Sequence, residues 1–150
     1  MTTSTASTQT YDIHHDLIIS APASNVFNAI TQPEHLVNWW PLQCSGKPEE
    51  GAEYNFYFEP EYNWYGKVSQ VVLNKLFFIK MTKADPDWNP TSFGFELQEY
   101  DKGVSLRFRH TGWPQCNAHF RRSSFCWALL LQGLKDYVEK GKVIPFEERA

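Results

Sequence analysis

The chain has 150 residues and a formal charge of -3, from 14 basic and 17 acidic residues. That length suits one domain with a core of its own, and the nearly balanced charge excludes the net basic footprint that nucleic acid or an anionic membrane would call for. Three cysteines, odd in number and irregularly spaced, describe no disulfide framework, and no apolar run approaches the roughly 18 residues of a membrane-spanning helix.

Residues 1–10 are mostly Thr and Ser, without a basic start or an apolar stretch. They read as a flexible tail rather than a signal peptide, and a reducing cytoplasm is the expected setting. Residues 11–19 then read as a strand, with Tyr11, Ile13, Leu17 and Ile19 on one parity and Asp12, His14 and Asp16 on the other. Ser20-Ala21-Pro22 stops that strand and opens a helix, Pro22 suiting its first turn. Val26, Phe27 and Ile30 follow at helical spacing, and Pro33 forces the end. A second short helix is predicted from Pro33 to about Trp39. Residues 41–50, with Pro41, Gly46 and Pro48, read as a loop.

From Gly51 the period becomes two. Tyr54, Phe56 and Phe58 alternate with Glu53, Asn55 and Glu59 until Pro60 breaks the run. Further strands are predicted at residues 62–72 and 76–81, and residues 83–90, rich in Pro and Asp, form a loop. Phe93, Phe95 and Leu97, then Val104, Leu106, Phe108 and His110, alternate with polar residues across an Asp101-Lys102-Gly103 turn. One face is apolar and the other wet, as in an antiparallel sheet covered on one side. A long helix is predicted from about Asn117 to Lys140. Phe120, Trp127, Leu131, Leu134 and Val138 form its stripe, widened by Cys126, Leu130 and Tyr137. Gly141 is its stop. Gly133, inside the helix, suggests a close neighbour, such as the first helix.

The predicted fold is therefore α+β: a strongly curved antiparallel sheet wrapped around a long C-terminal helix, with two short helices after the first strand. The expected limits are residues 11–145, with a short tail over 146–150. Only the long helix is large enough to cover the apolar sheet face.

Eleven Phe, seven Tyr and six Trp are the compositional anomaly. Large flat rings leave gaps when packed, and Tyr and Trp also need partners for their polar ends. Phe56, Phe58, Trp64, Phe93, Phe95 and Phe108 are placed on the concave face as candidate cavity walls. Tyr54 and Tyr62 can add hydroxyls, and Phe120 and Trp127 face them from the long helix. Trp39 and Trp40 are adjacent, so one is expected at the cavity mouth and the other in ordinary packing or on the surface. His110 lies on the apolar parity, either as a polar anchor for a ligand or as a satisfied core histidine.

His110, Cys116, His119 and Cys126 match no strong metal motif, and no metal or other cofactor is assigned. No catalytic residue is assigned either. No carboxylate pair can be placed by spacing, Ser123-Ser124 lacks an elbow context and reads as helix surface, and no phosphate loop or HExxH is present. Arg107, Arg109, Arg121 and Arg122 read as solvent-face charges that could rim an interface.

The same order of elements carries local motifs: Ala21-Pro22-Ala23 leading to Val26-Phe27-Asn28-Ala29-Ile30-Thr31, Pro33-Glu34-His35-Leu36, Trp39-Trp40, Gly51 before an aromatic strand, Gly66-Lys67-Val68, the His-Thr-Gly-Trp ending of Leu106–Trp113, and Leu134 to Gly141. In these the chain resembles the START-like (SRPBCC, Bet v 1-like) superfamily of the helix-grip fold, and within it the activator of Hsp90 ATPase homologue (AHSA1-like) family. The resemblance covers residues 11 to 145. It implies an internal cavity that takes hydrophobic molecules. The leading expectation is non-catalytic binding of a small hydrophobic or aromatic molecule between sheet and helix. A protein-interaction module for a chaperone or other partner, and a cyclase- or hydrolase-like enzyme using the same cavity, are the alternatives. Homodimerisation stays open under each.

Overall fold

A computed structural model describes residues 9–149. The elements run β1 (Tyr11–Ile19), α1 (Ala23–Thr31), α2 (Pro33–Leu36), β2 (Gln43–Ser45), β3 (Glu53–Glu59), β4 (Tyr62–Val72), β5 (Leu76–Lys83), β6 (Ser92–Tyr100), β7 (Gly103–Trp113) and α3 (Ala118–Lys140). The expected N-terminal tail falls outside the described residues except for positions 9 and 10.

All seven strands join one antiparallel sheet in the order β1-β7-β6-β5-β4-β3-β2. Consecutive strands from β2 to β7 are neighbours, and the chain returns at its far edge to pair β7 with β1, Ile13 opposite His110 and Ile19 opposite Val104. Period-two alternation sets which side is inside. In β6 and β7, Phe93, Phe95, Leu97, Val104, Leu106, Phe108 and His110 are buried. On the opposite face Arg109 pairs with Glu96 and lies 4.5 Å over the ring of Phe78. Gly94 makes room for that ring, since a Cβ there would meet Phe78 Cδ1 at 2.0 Å.

The inner face is closed by α1 and α3. Pro22 is the N-cap of α1, without a side-chain cap bond, so the helix begins one residue later than the sequence suggested. Helix α3 starts with Asn117 accepting from the Phe120 N–H and ends on Gly141 at φ 67°, as its termini predicted. It buries Ser123, Trp127, Leu130, Leu131, Gly133 and Leu134.

Four expectations change. The segment 41–50 contains a strand, β2, whose three residues pair with Asn55–Tyr57 at the sheet edge. It is too short and too polar to show alternation. Helix α2 stops at Leu36 and continues only as turns toward Trp40. The neighbour of Gly133 is Ile144, whose Cδ1 would lie 3.8 Å from an added Cβ, and not α1. Finally, of the expected tail, residue 150 lies outside the described residues, while Phe146–Glu148 form a 3-10 turn and Arg149 folds back onto the molecule, donating to Ile144 O at 2.9 Å, to Pro41 O at 3.2 Å and to Trp40 O at 3.4 Å.

Candidate functional site

The aromatic residues divide into two populations. The first is a filled core. Trp127 packs against Phe108, Trp40 and Phe93 with ring centroids 4.4, 4.9 and 5.8 Å apart. Phe95 sits 5.4 Å from Phe108, and Tyr54 5.8 Å from Phe56. The Tyr54 hydroxyl is spent on Thr31 O, and burial raises its pKa. Cys44 is likewise pushed up, to about 12, by burial, so it is an inert thiol.

His110 lies in this core with no exposure. Trp127 Nε1–H donates to its Nδ1 at 3.1 Å, which leaves the ring hydrogen on Nε2. That Nε2–H donates to Thr91 Oγ1 at 2.8 Å, and the Thr91 hydroxyl donates to Trp88 O at 2.7 Å. Both imidazole nitrogens are occupied by protein partners. Burial pushes the His110 pKa down to about 3, because a charged ring there would lose its hydration. His110 is thus the satisfied core histidine of the two readings the sequence allowed.

The second population borders a solvent-open cleft of about 380 Å³. Phe58, Tyr62 and Trp64 from the β3–β4 hairpin form one wall, and Trp88 from the β5–β6 loop another. Trp40, Trp127 and Leu130 line it toward the core, and His119, Arg122, Ser123 and Cys126 come from α3. Trp64 and Trp88 are 4.7 Å apart. Of the thirteen candidate residues, Trp40, Phe58, Tyr62, Trp64 and Trp127 border this cleft. Tyr54, Phe56, Phe93, Phe95, Phe108 and His110 lie in the core behind it. Phe120 packs on Trp113 and Tyr11.

Trp39 and Trp40 are both buried, Trp40 bordering the cleft and Trp39 in ordinary packing. They stack at 6.1 Å, and Trp39 Nε1–H donates to Ala29 O at 2.9 Å. The segment turns with helical curvature, where successive side chains diverge by about 100°.

Sequence reasoning missed Trp88, since its loop of prolines and aspartates shows no period. Trp88 is nonetheless 94% shielded, with its Nε1 buried and without a partner among the described residues. It also missed Ser123, which faces inward rather than to the helix surface. At the cleft mouth His119 Nδ1–H donates to Asp87 Oδ2 at 2.8 Å, and its Nε2 lies 3.9 Å from Asp85 Oδ2. This pins the β5–β6 loop to α3. No group of three or more potential metal ligands occurs among the described residues.

A family model described as "Activator of Hsp90 ATPase homolog 1-like protein" matches residues 20–139. The chain belongs to this AHSA1-like family. Solved structures place its fold in the same company. The Aha1 dimer from Colwellia psychrerythraea is 27% identical with a TM-score of 0.80, covering 88% of this chain and 98% of that one. Protein SSP2350 from Staphylococcus saprophyticus (20% identity, TM-score 0.77, 93% and 98% covered) and MLL2253 from Mesorhizobium loti (20%, 0.77, 89% and 100%) share the fold. No curated protein matches the chain. For this AHSA1-like chain the expected helix-grip architecture, a curled antiparallel sheet around a long C-terminal helix, therefore holds. Among its described residues no helix is long and apolar enough to cross a membrane.

Proposed function

We propose that this AHSA1-like protein binds a small aromatic or hydrophobic molecule, without transforming it, in the cleft between the β3–β4 hairpin, the β5–β6 loop and α3. One observation carries the reading: Trp40, Phe58, Trp64 and Trp88 converge on a space large enough for a two- or three-ring molecule. Apolar transfer at about 25 cal/mol per Å² would supply the affinity. A neighbouring depression shares Trp40, Phe58 and Tyr62 and continues toward Phe146 and Arg149, so a longer ligand has room to extend. His110 does not serve as a general base in this reading, because both its nitrogens are engaged. The setting is cytoplasmic, which suits the three unpaired cysteines.

Native mass spectrometry of freshly purified protein, with gentle activation, tests the reading. A reproducible passenger that is lost in Trp64→Ala supports it. A clean apoprotein mass, together with no change in tryptophan emission on titrating naphthalene derivatives, refutes it.

A second reading is a protein-docking module. It is favoured by Phe125 and Leu129, one turn apart on α3 and 66% and 49% exposed. The partner is a chaperone, as the family description suggests, or a second copy, as in the Colwellia dimer. Chromatography of Phe125→Ser and of wild type, with and without a chaperone of the Hsp90 class, separates this from the first.

A further inference from the structure

The polar groups around the cleft are unevenly distributed between donors and acceptors. No carboxylate borders it. Asp85 and Asp87, on the β5–β6 loop, are turned onto His119, and Glu59 and Glu147 line the adjoining depression rather than the cleft itself. What remains is mostly donors. The Trp88 indole, a donor with no acceptor capacity, is buried in the wall and has no partner among the described residues. Ser123 is 92% shielded, borders the cleft, and makes no side-chain hydrogen bond among the described residues. Arg122, one position before it, is exposed at the rim and enters no ion pair among the described residues. Its neighbour Arg121, by contrast, is committed to Cys116 O at 3.1 Å.

A purely hydrocarbon ligand would leave these groups as they are and gain nothing from them. The Ser123 hydroxyl borders the open cleft, so a ligand can replace water as its hydrogen-bond partner. A guanidinium offers a planar fork of donors matched to a carboxylate. Arg122 and Ser123 both border the cleft from the first half of α3, so both can address one end of a molecule whose rings lie among Trp40, Trp64 and Trp88.

We infer that the cleft takes planar aromatic carboxylates, with Arg122 as the carboxylate anchor, Ser123 as a second hydrogen-bond partner, and the tryptophan walls holding the ring system. This rests on the cleft reading above and names its ligand class. The site is thereby selective by charge as well as by shape: the neutral amide of the same ring system fills the walls but leaves the guanidinium unused.

Calorimetric titration with naphthoate and with naphthamide decides it, using wild type, Arg122→Gln and Trp64→Ala. Arg122 is exposed, so its replacement should leave the fold intact, and circular dichroism checks this. The expected result is that wild type prefers naphthoate by about tenfold or more. Arg122→Gln removes that preference while its naphthamide affinity stays within about twofold, and Trp64→Ala weakens both probes alike. Added salt lowers the naphthoate affinity alone. Equal affinity of wild type for the two probes, or a preference that survives Arg122→Gln, overturns the carboxylate assignment and leaves the cleft standing. Binding of neither probe overturns both.

Discussion

The core beneath β6 and β7 and the cleft at the β3–β4 end are built from the same residue types, yet one is filled and the other open. In the core each ring is enclosed by sheet on one side and by α1 or α3 on the other, so Phe93, Phe95 and Phe108 reach exposures of 1–2%. At the cleft the hairpin faces α3 across open space, and the β5–β6 loop supplies a further wall with Trp88. Phe58 and Trp64 stay half-buried there. Aromatic content alone does not distinguish a core from a site; the elements available to cover each ring do.

The comparison breaks most visibly under large-to-small substitution. Phe93→Ala should cost about 3–5 kcal/mol in urea denaturation, because the surrounding rings cannot collapse into the space. A loss as small as that at the cleft would mean the core is as loosely filled as the cleft.

The next largest effect is on acid stability. The His110 pKa is about 3 in the folded protein and near 6.5 once exposed. Below about pH 6.5 the unfolded chain therefore binds a proton that the folded one refuses. Stability is full above that pH and declines as the pH falls toward 3, with a slope approaching roughly 1.4 kcal/mol per pH unit from this group. Denaturation midpoints across pH 4 to 7 should show the decline, and His110→Gln, less stable at neutral pH, should show a flatter profile. Equal slopes in the two proteins would remove His110 as the cause.

In the cleft, Trp64→Ala should cost only roughly 1–2 kcal/mol, since much of the ring already meets water. It should nevertheless abolish most aromatic binding, whereas Phe93→Ala, if folded, should retain it. The smallest effect belongs to Arg149→Ala, which removes donors to the carbonyls of Trp40 and Pro41. About 0.5–1 kcal/mol of stability should be lost, with a shift in tryptophan emission as Trp40 gains exposure.

Alternation and caps made most of the framework legible in the sequence. Strands β3 to β7, the Asp101-Lys102-Gly103 turn and both ends of α3 follow from local rules that tertiary packing did not override. The placement of Phe58 and Trp64 on the inner parity followed from the same rules. What stayed hidden depends on contacts between segments distant in sequence. β2 exists only because Asn55–Tyr57 offers an edge to pair with. Trp88 is buried because His119 on α3 pins its loop through Asp87. The fully spent bonding of His110 could not be read without knowing where Thr91 and Trp127 lie.

The pairing of β1 with β7 also has a consequence for how the chain is made. β1 leaves the ribosome early, but its partner strand lies roughly ninety residues further on. At about 5–20 residues per second, β1 waits for several seconds as a solitary edge. Its alternate residues Asp12, His14 and Asp16 remain on the wet side throughout, and such charges discourage pairing with strangers. Substituting them with apolar residues should leave the finished fold nearly unchanged and still lower the yield of folded protein during synthesis.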